Sequence, residues 1–196
     1  MKKLVYAASD DEGVWVYQAF RPKIVEYAVQ HGTFGKGFGL DRMSWIKPSL
    51  GWMLRRSKYA TKHRMTAIAK IKLSHQGWLE LLRQSIPTHF DANLFETEHQ
   101  WQKALNNSHV IHQWDPERDL QGKRLQRQAI QIGLRADALL KYVQDYIIGV
   151  EDITDLALEI GKVAKLANPR YPKVPIEVPY ALPQELMQSL SCSLAD

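Results

Sequence analysis

Residues 14–20 read Val14-Trp15-Val16-Tyr17-Gln18-Ala19-Phe20, a run that is β-branched and aromatic almost throughout. Such a run is typical of a strand that is covered on both faces. Pro22 follows and suits the first turn of a helix, and Gly32 suits the end of that helix. The stretch therefore predicts a buried strand followed directly by a helix.

A second strand is indicated by the alternating pattern of residues 65–73. Apolar side chains occupy every second position: Met65, Ala67, Ala69, Ile71 and Leu73. The positions between them include Lys70 and Lys72, which favour solvent. The pattern predicts a half-buried strand.

The rest of the chain mixes helical and strand patterns in an irregular order. Helical patterns cover residues 48–57, 78–86, 97–105, 139–147 and 153–167. Further strand patterns cover residues 4–7, 110–114 and 129–134. This order favours an α+β fold, a single domain over residues 1–196 with a split or mixed sheet of about five to six strands packed with helices. Five prolines in residues 169–183 predict an extended surface strap, followed by a short helix from Gln184.

Composition narrows the class of protein. The 196 residues are 45% hydrophobic and 24% charged, which excludes a disordered chain. No apolar run approaches the roughly 20 residues that cross a bilayer, so we expect no membrane span. Too few apolar residues precede Asp10 for a signal peptide, and the single cysteine, Cys192, excludes a CxxC motif. We expect a cytoplasmic protein.

Positive charge is concentrated in residues 36–72. The chain has 26 Lys and Arg against 21 Asp and Glu, yet residues 36–72 alone hold ten cations and one acid, Asp41. Aromatic residues are interleaved with these cations, among them Phe38, Trp45, Trp52 and Tyr59. The segment is either a solvated basic face or a binding site for phosphates or nucleic acid.

The sequence Arg42-Met43-Ser44-Trp45-Ile46-Lys47-Pro48-Ser49 predicts an anion site. It brings Arg42 and Lys47 to the start of a helix that Pro48 opens. Free backbone N–H groups and the positive end of the helix dipole converge there. We expect a phosphate at this helix N-terminus.

One side of the same helix carries Ser49, Trp52 and Arg56. Trp52 and Arg56 can stack on a base and clamp a phosphate. Alternatively, Trp52 packs on the protein with Arg56 folded over it.

Tyr17, Gln18 and Arg21 lie at the end of the first long strand, a usual place for ligand contacts. Gln18 and Gln131 are isolated amides within apolar strand patterns. Each is either a paired structural group or a donor that lines a pocket.

An acidic segment, Trp114-Asp115-Pro116-Glu117-Arg118-Asp119, reads as an exposed proline turn with ion pairs. Its functional alternative makes Glu117 a general base or an orienting carboxylate, and Arg118 a phosphate clamp. Glu117 is thus the candidate catalytic residue.

Several other kinds of site are disfavoured. The glycine-rich residues 31–39 fit neither phosphate-loop spacing and read as a mobile surface loop. His109 and His112 are three apart in a predicted strand and point to opposite faces, so we expect no metal site. Cys192 lies in a polar tail and is no candidate nucleophile.

The chain resembles the bacterial domain-of-unknown-function family 4291. Three stretches carry the resemblance: 16–22 (VYQAFRP), 42–49 (RMSWIKPS) together with Trp52-Met53 and Arg56-Ser57, and 113–119 (QWDPERD). Leu50-Gly51 departs from the family pattern, which has an aromatic and an aliphatic residue there. Residues 130–134 (IQIGL) and 149–154 (GVEDIT) continue it in the same order, so it covers nearly the whole chain. The family's name implies no activity.

A fainter resemblance is to ADP-ribosyltransferase-type folds, which bind NAD in a split sheet. It implies that Tyr17, Gln18 and Arg21 line the nicotinamide-ribose side of a cleft. The same likeness would place Ser44, Lys47, Ser49 and Arg56 at the pyrophosphate. It also requires Glu117 to replace the usual late-strand glutamate, because that region here reads Ile130-Gln131-Ile132.

These observations support two hypotheses. One is a nucleotide-utilising enzyme, an ADP-ribosyl or nucleotidyl transferase acting on nucleic acid, with NAD as a possible cofactor. The other is a non-catalytic nucleic-acid-binding protein that uses the basic aromatic segment 36–72.

Overall fold

A computed structural model describes residues 2–193. Within them the strands, numbered in chain order, are β1 Lys2–Lys3, β2 Tyr6–Ala7, β3 Gly13–Phe20, β4 Ser44–Ile46, β5 Ala67–Ser74, β6 Ile86–Pro87, β7 Val110–Arg118, β8 Arg124–Leu134, β9 Ile147–Asp152 and β10 Val178–Pro179. The α-helices are α1 Pro22–His31, α2 Leu50–Ser57, α3 His75–Gln84, α4 Glu98–Asn107, α5 Ala136–Lys141, α6 Thr154–Val163 and α7 Gln184–Ser189. A π-helical turn, Tyr142–Tyr146, directly follows α5.

Two sheets form the framework. The larger is mixed and five-stranded, in the order β1-β8-β7-β6, with β4 pairing β8 on the edge that β1 also uses. A smaller antiparallel sheet has the order β3-β5-β9. The two meet where Tyr17 of β3 and Lys47, just after β4, exchange backbone hydrogen bonds of 2.7 and 3.3 Å. The expected α+β fold with a split, mixed sheet is therefore confirmed.

Local sequence signals predicted β3 and α1 correctly. Pro22 is the first residue of α1, and Gly32 ends the helix at φ 72°, a left-handed conformation that glycine adopts without strain. The loop after α1 is not merely a surface loop, because Phe34 and Phe38 are buried and pack against Phe20. These aromatic side chains close one end of the core.

Strand β5 is buried on both faces, so the expectation of a half-buried strand is wrong. As the central strand of its sheet, β5 packs Ile71 into the main core and Ile68 into a second core beneath α2 and α6. Its two lysines are sheltered by Trp15, whose ring lies 3.7 Å from the Nζ of Lys70 and 5.4 Å from that of Lys72. The alternation was misleading because a lysine stem can cover an aromatic ring while its ammonium reaches carboxylates.

The acidic segment 114–119 is part of a strand and not a proline turn. β7 continues through Pro116 to Arg118, and the chain reverses only over residues 119–123, where Gly122 has φ 79°. A register shift between Pro116 and Arg118 interrupts the β7–β8 ladder. The shift determines which way the acidic side chains point, because it breaks the alternation of the strand.

Several helix boundaries differ from expectation: Ile86 lies in β6, and α6 ends at Val163 and not at residue 167. α2 begins at Leu50 and not at Pro48, because the Ser49 side chain caps it by accepting a hydrogen bond from the Trp52 N–H. The helical pattern of residues 139–147 ends in the π-helical turn, and Ile147 already belongs to β9. No helix within residues 2–193 is long and apolar enough to cross a membrane.

Residues 169–183 follow the surface mostly without helix or strand. Val178 and Pro179 pair with β2, which attaches the segment, here called the strap, to the start of the chain. A short helix follows from Gln184, as expected.

Candidate functional site

A cleft of about 920 Å³ lies where the two sheets meet. Strands β3, β4, β7 and β8, helix α2 and the loop before β5 form its wall. Its lining residues are Gln18, Ala19, Phe20, Arg21, Ile24, Gly37, Arg42, Met43, Ser44, Trp45, Lys47, Trp52, Met53, Arg56, Arg64, Met65, Gln113, Asp115 and Gln131. The structure thus brings together nine residues singled out from the sequence: Gln18, Arg21, Arg42, Ser44, Trp45, Lys47, Trp52, Arg56 and Gln131.

The cleft is strongly basic. Five cations line it: Arg21, Arg42, Lys47, Arg56 and Arg64. Asp115 is the single carboxylate among its described lining residues. Within residues 2–193 none of the five cations forms an ion pair within 4.0 Å, and the four arginines are exposed. This excess of unpaired positive charge attracts an anion.

Lys47 differs from the other cations because it is only 5% exposed. Its Nζ lies 4.4 Å from the centre of the Trp52 ring and 6.0 Å from that of Trp45. Burial, reinforced by the nearby Arg56, lowers the pKa of Lys47 to about 7, and Asp115 only partly opposes this. A large fraction of this amine is consequently unprotonated near neutral pH.

Two amides position the Asp115 carboxylate. Gln113 donates to Oδ1 at 2.9 Å, and Gln131 donates to Oδ2 at 2.6 Å. The two glutamines are directly opposite each other in the β7–β8 register, which places all three side chains on one face. Burial raises the pKa of Asp115 despite the donor from Gln113 and the nearby Lys47. The cleft therefore holds an amine with a lowered pKa and a carboxyl with a raised one.

Gln18 is a paired structural group that also lines the cleft. Its Nε2 donates to Ser44 Oγ at 2.8 Å and to the Trp45 carbonyl at 3.1 Å. Its Oε1 accepts from the Tyr142 hydroxyl at 2.8 Å. These bonds hold β4 against β3 and fix the start of the segment that carries Lys47.

Four of the sequence-derived residues do not line the cleft: Tyr17, Ser49, Glu117 and Arg118, the last of which lies in a neighbouring groove. Tyr17 is fully buried in the second core, and the structure gives its hydroxyl no partner. Ser49 and Glu117 are 1% exposed and bond to each other, with Ser49 Oγ donating to Glu117 Oε1 at 2.6 Å. That oxygen also accepts from the Arg118 N–H at 2.7 Å. Glu117 is thus part of the packing between α2 and β7, and it does not line the cleft as a general base would.

The N-terminus of α2 is occupied by the protein's own groups. Glu177, from the strap, accepts a hydrogen bond from the Leu50 N–H at 2.6 Å. Ser49 satisfies the Trp52 N–H at 3.0 Å. The Leu50 and Trp52 N–H groups at this helix end are therefore already bonded and not free for the phosphate expected there. The basic side chains converge one turn further on, around Trp52 and Arg56.

A second basic groove, of about 340 Å³, adjoins the cleft. It shares Trp52, Arg56 and Asp115 with the cleft, and its other lining residues are Arg55, Lys58, Lys62, Pro116 and Arg118. Arg118, singled out from the sequence, lies here and not in the cleft.

The wall of the second groove contains an unusual turn. Lys58, Tyr59 and Ala60 have φ of 52°, 56° and 61°, left-handed values that cost about 1–2 kcal/mol per residue. Buried Ala60, and the Tyr59 hydroxyl donating to the Leu120 carbonyl at 3.1 Å, hold this conformation. The turn directs the chain so that Lys58 and Lys62 lie beside Arg55.

Sequence reasoning missed Gln113, Asp115 and Arg64 as lining residues. Alternation along a strand places Gln113 and Asp115 on one face, but residues 114–119 read as a turn. Arg64, at φ 63°, reaches the cleft from an irregular loop that has no local signal.

A comparison with protein-family models gives a match over most of the chain. Residues 4–180 match the family model described as "Domain of unknown function (DUF4291)". A search of curated proteins found no match. The matched range contains every residue of both grooves. Because the match spans most of the 196 residues, this chain belongs to the DUF4291 family.

Proposed function

We propose that this protein is a nucleotide-utilising enzyme that binds the phosphates of its substrate in the basic cleft. Four arginines that converge on one cavity, and that form no ion pair within residues 2–193, carry the proposal. A volume of about 920 Å³ lies within the range of about 300–1,000 Å³ that is usual for small-molecule sites.

The lining residues offer two kinds of contact, one for phosphate and one for a base. The guanidinium groups of Arg21, Arg42, Arg56 and Arg64 have the fork geometry that suits phosphate oxygens. Trp45 and Trp52 offer aromatic surface for a base. A nucleotide combines these two requirements, a polyanionic group and an aromatic ring.

The reaction we favour is transfer of an ADP-ribosyl or nucleotidyl group to nucleic acid, with NAD as a candidate donor. The second groove continues the cleft and would hold the acceptor strand. Proton transfer is assigned to Asp115, because Glu117 lies outside the cleft. Lys47 lines the same cleft as Asp115, so the cleft contains both an amine and a carboxyl group.

A thermal-shift panel tests this proposal. NAD, ATP, GTP and ADP-ribose are each added at low salt, alongside short RNA and DNA. A ligand at 100 times its Kd adds about 2.7 kcal/mol of stability, which is a rise of several degrees in Tm. A rise with one nucleotide supports the enzyme and identifies the donor to label in a transfer assay. No rise with any nucleotide contradicts it.

The second candidate function is nucleic-acid binding without catalysis. The second groove favours it, since Arg55, Arg56, Lys58, Lys62 and Arg118 line one shallow track. Such a surface follows a phosphate backbone, and affinity then falls steeply with salt.

Lys58→Gly is a clean variant for this second function. Glycine tolerates the left-handed φ of 52°, so the fold is not disturbed, while one cation is lost. In a strand-binding protein the salt slope of the affinity falls by about one. Equal affinity of wild type and variant at every salt concentration excludes Lys58 from a nucleic-acid track.

A further inference from the structure

We propose that Lys47 is a nucleophilic amine that forms an imine with the aldehyde group of a phosphate-bearing substrate in the cleft. The inference rests on the proposed function only in that it uses the same basic cleft. It adds an activity that group transfer does not require.

The position of Lys47 is fixed by the backbone. Its N–H and C=O both bond to Tyr17 at the junction of the two sheets. Its side chain is sheltered by Trp45 and Trp52, yet it lines the open cleft. A structural lysine at this depth would be expected to reach a carboxylate. Lys47 has no ion pair within 4.0 Å among residues 2–193.

The surroundings of Lys47 favour the reactive, neutral amine. Burial withdraws the amine from water, and Arg56 repels the protonated form. A lysine beside a second cation in an apolar pocket is the arrangement that activates amines as nucleophiles. The opposing group is Asp115, whose carboxyl is itself partly buried.

Asp115 supplies the proton transfers that imine formation needs. The Lys47 nitrogen attacks the carbonyl carbon and forms a C–N bond, while the carbonyl oxygen takes a proton from the Asp115 carboxyl. The amine proton then passes to the Asp115 carboxylate. The Asp115 carboxyl then protonates the carbinolamine hydroxyl, which leaves as water while the nitrogen lone pair forms the C=N bond. The product is a protonated imine beside the Asp115 carboxylate. Gln113 and Gln131 hold the carboxyl in place throughout.

The arginines select the class of aldehyde. Arg42, Arg56 and Arg64 line the same cleft and can hold a phosphate while the carbonyl reaches Lys47. Their positive charge also offsets the negative charge of the phosphate. Without them, the phosphate would raise the pKa of the Lys47 amine. The substrate class is therefore a sugar phosphate in its aldehyde form, either free or as an abasic position in a nucleic-acid strand.

Pyridoxal 5′-phosphate, a phosphate-bearing aldehyde, is the probe. The full chain is incubated with it at pH 7.5, reduced with borohydride, digested and mapped by mass spectrometry. We expect Lys47 to be modified at least about tenfold faster than exposed Lys103, because Lys47 lies among the arginines that bind the phosphate of the probe and burial lowers the pKa of its amine. Modification of Lys47 at or below the rate of Lys103 overturns the inference. The experiment uses the wild-type protein, so its outcome does not depend on whether a variant folds.

Variants and competitors make the test specific. Lys47→Met should lose the fast phase of labelling, and Lys103→Met should keep it. Retention of the fast phase in a folded Lys47→Met protein overturns the assignment. Replacing the probe with glyceraldehyde 3-phosphate or an abasic oligonucleotide, each trapped by borohydride, distinguishes the two sources. Trapping of either at Lys47 supports the inference, and trapping of neither contradicts it.

Nucleotide binding is scored separately in the same samples. A nucleotide that raises the Tm and slows labelling of Lys47 supports both proposals. Nucleotide binding without selective labelling overturns the imine and leaves the proposed function intact. Selective labelling without any nucleotide binding supports the imine and overturns the proposed function.

Discussion

Lys47 and Asp115 are the residues whose chemistry the fold changes most. Each is withdrawn from water in the same cleft, so the pKa of the amine falls and that of the carboxyl rises. Perturbed groups in a cleft are typical of reactive sites. Both shifts can be measured without knowing the substrate.

The pH dependence of stability reports on Lys47. The unfolded chain keeps the ordinary lysine pKa, so it binds more protons than the native state between about pH 7 and pH 10. The contribution of Lys47 to stability therefore rises with pH across that range. We expect Lys47→Met to be more stable than wild type at pH 7, by on the order of 3 kcal/mol, with the difference shrinking toward pH 10. Urea unfolding at several pH values measures this. A difference independent of pH would contradict the shifted amine.

Gln131 donates a hydrogen bond to Oδ2 of Asp115, a partly buried carboxyl group. Gln131→Leu removes the 2.6 Å hydrogen bond to Asp115 and should cost about 1–3 kcal/mol at pH 7. The cost should shrink in acid, where Asp115 is protonated in both proteins. Gln102→Leu is the control, since its amide bonds only to exposed Asn106. Denaturant curves showing equal stability for the two variants would contradict a positioned carboxylate.

At the scale of elements, the packing of α2 against β7 sets the site. A Cβ on Gly51 would lie 2.0 Å from the Arg118 carbonyl oxygen, so only glycine allows this approach. The close contact brings Trp52 and Arg56 beside Asp115. The glycine therefore determines the geometry of both grooves.

Gly51→Ala should displace α2 and cost about 1–3 kcal/mol or more. Gly149→Ala is a matched control, because its added Cβ meets nothing closer than 3.7 Å. Thermal unfolding and the Lys47 labelling rate are compared for both. Gly51→Ala should lower the Tm and change the labelling rate. If the Tm and the labelling rate of Gly51→Ala equalled those of Gly149→Ala, the position of α2 would not depend on the contact between Gly51 and the Arg118 carbonyl.

The strap contributes a second contact to α2. Burial raises the pKa of Glu177 to about 8, helped by nearby Glu117 and opposed by the Leu50 N–H and Arg127. The native state then holds a proton that the unfolded chain releases between about pH 5 and pH 8, so the contribution of Glu177 to stability falls as pH rises through that range.

Glu177→Gln keeps the acceptor for Leu50 without the titration, and Glu177→Ala removes it. We expect the glutamine variant to equal or exceed wild type at pH 8. The alanine variant should lose about 1–3 kcal/mol because the Leu50 N–H is left unsatisfied. Unfolding at pH 6 and pH 8 separates the two effects. Equal stability of all three proteins would mean that the strap does not cap α2.

The elements that sequence predicted well are those with local signals. Pro22 marks the start of α1 and Gly32 its end. Thr97 caps α4 by accepting a hydrogen bond from the Gln100 N–H. The site depended on contacts distant in sequence, such as Glu177 with Leu50. The register shift after Pro116 likewise turned Glu117 away from Asp115, and no local pattern shows such a shift. The sequence thus indicated most of the cleft's cations but not its carboxylate.

At the scale of the whole molecule, the cleft lies where the two sheets meet, at the Tyr17–Lys47 backbone pair and the Gln18 side chain. Tyr17 is buried in the second core, and its backbone holds the segment that carries Lys47. Strands β7 and β8 bring the carboxylate from the larger sheet, and α2 brings Trp52 and Arg56. The second groove extends this basic surface along α2, so an elongated ligand can contact both.

The central claim is that this cleft binds a nucleotide through its cations. Calorimetric titration of the nucleotide selected by the thermal-shift panel, on wild type, Arg56→Gln and Arg83→Gln, tests it most directly. Arg56 lines both grooves, whereas Arg83 is exposed on α3 beside Glu80. Loss of one charge-assisted phosphate contact should weaken Kd at least about tenfold in Arg56→Gln and leave Arg83→Gln unchanged. The same Kd for all three proteins would place the nucleotide elsewhere and contradict the account.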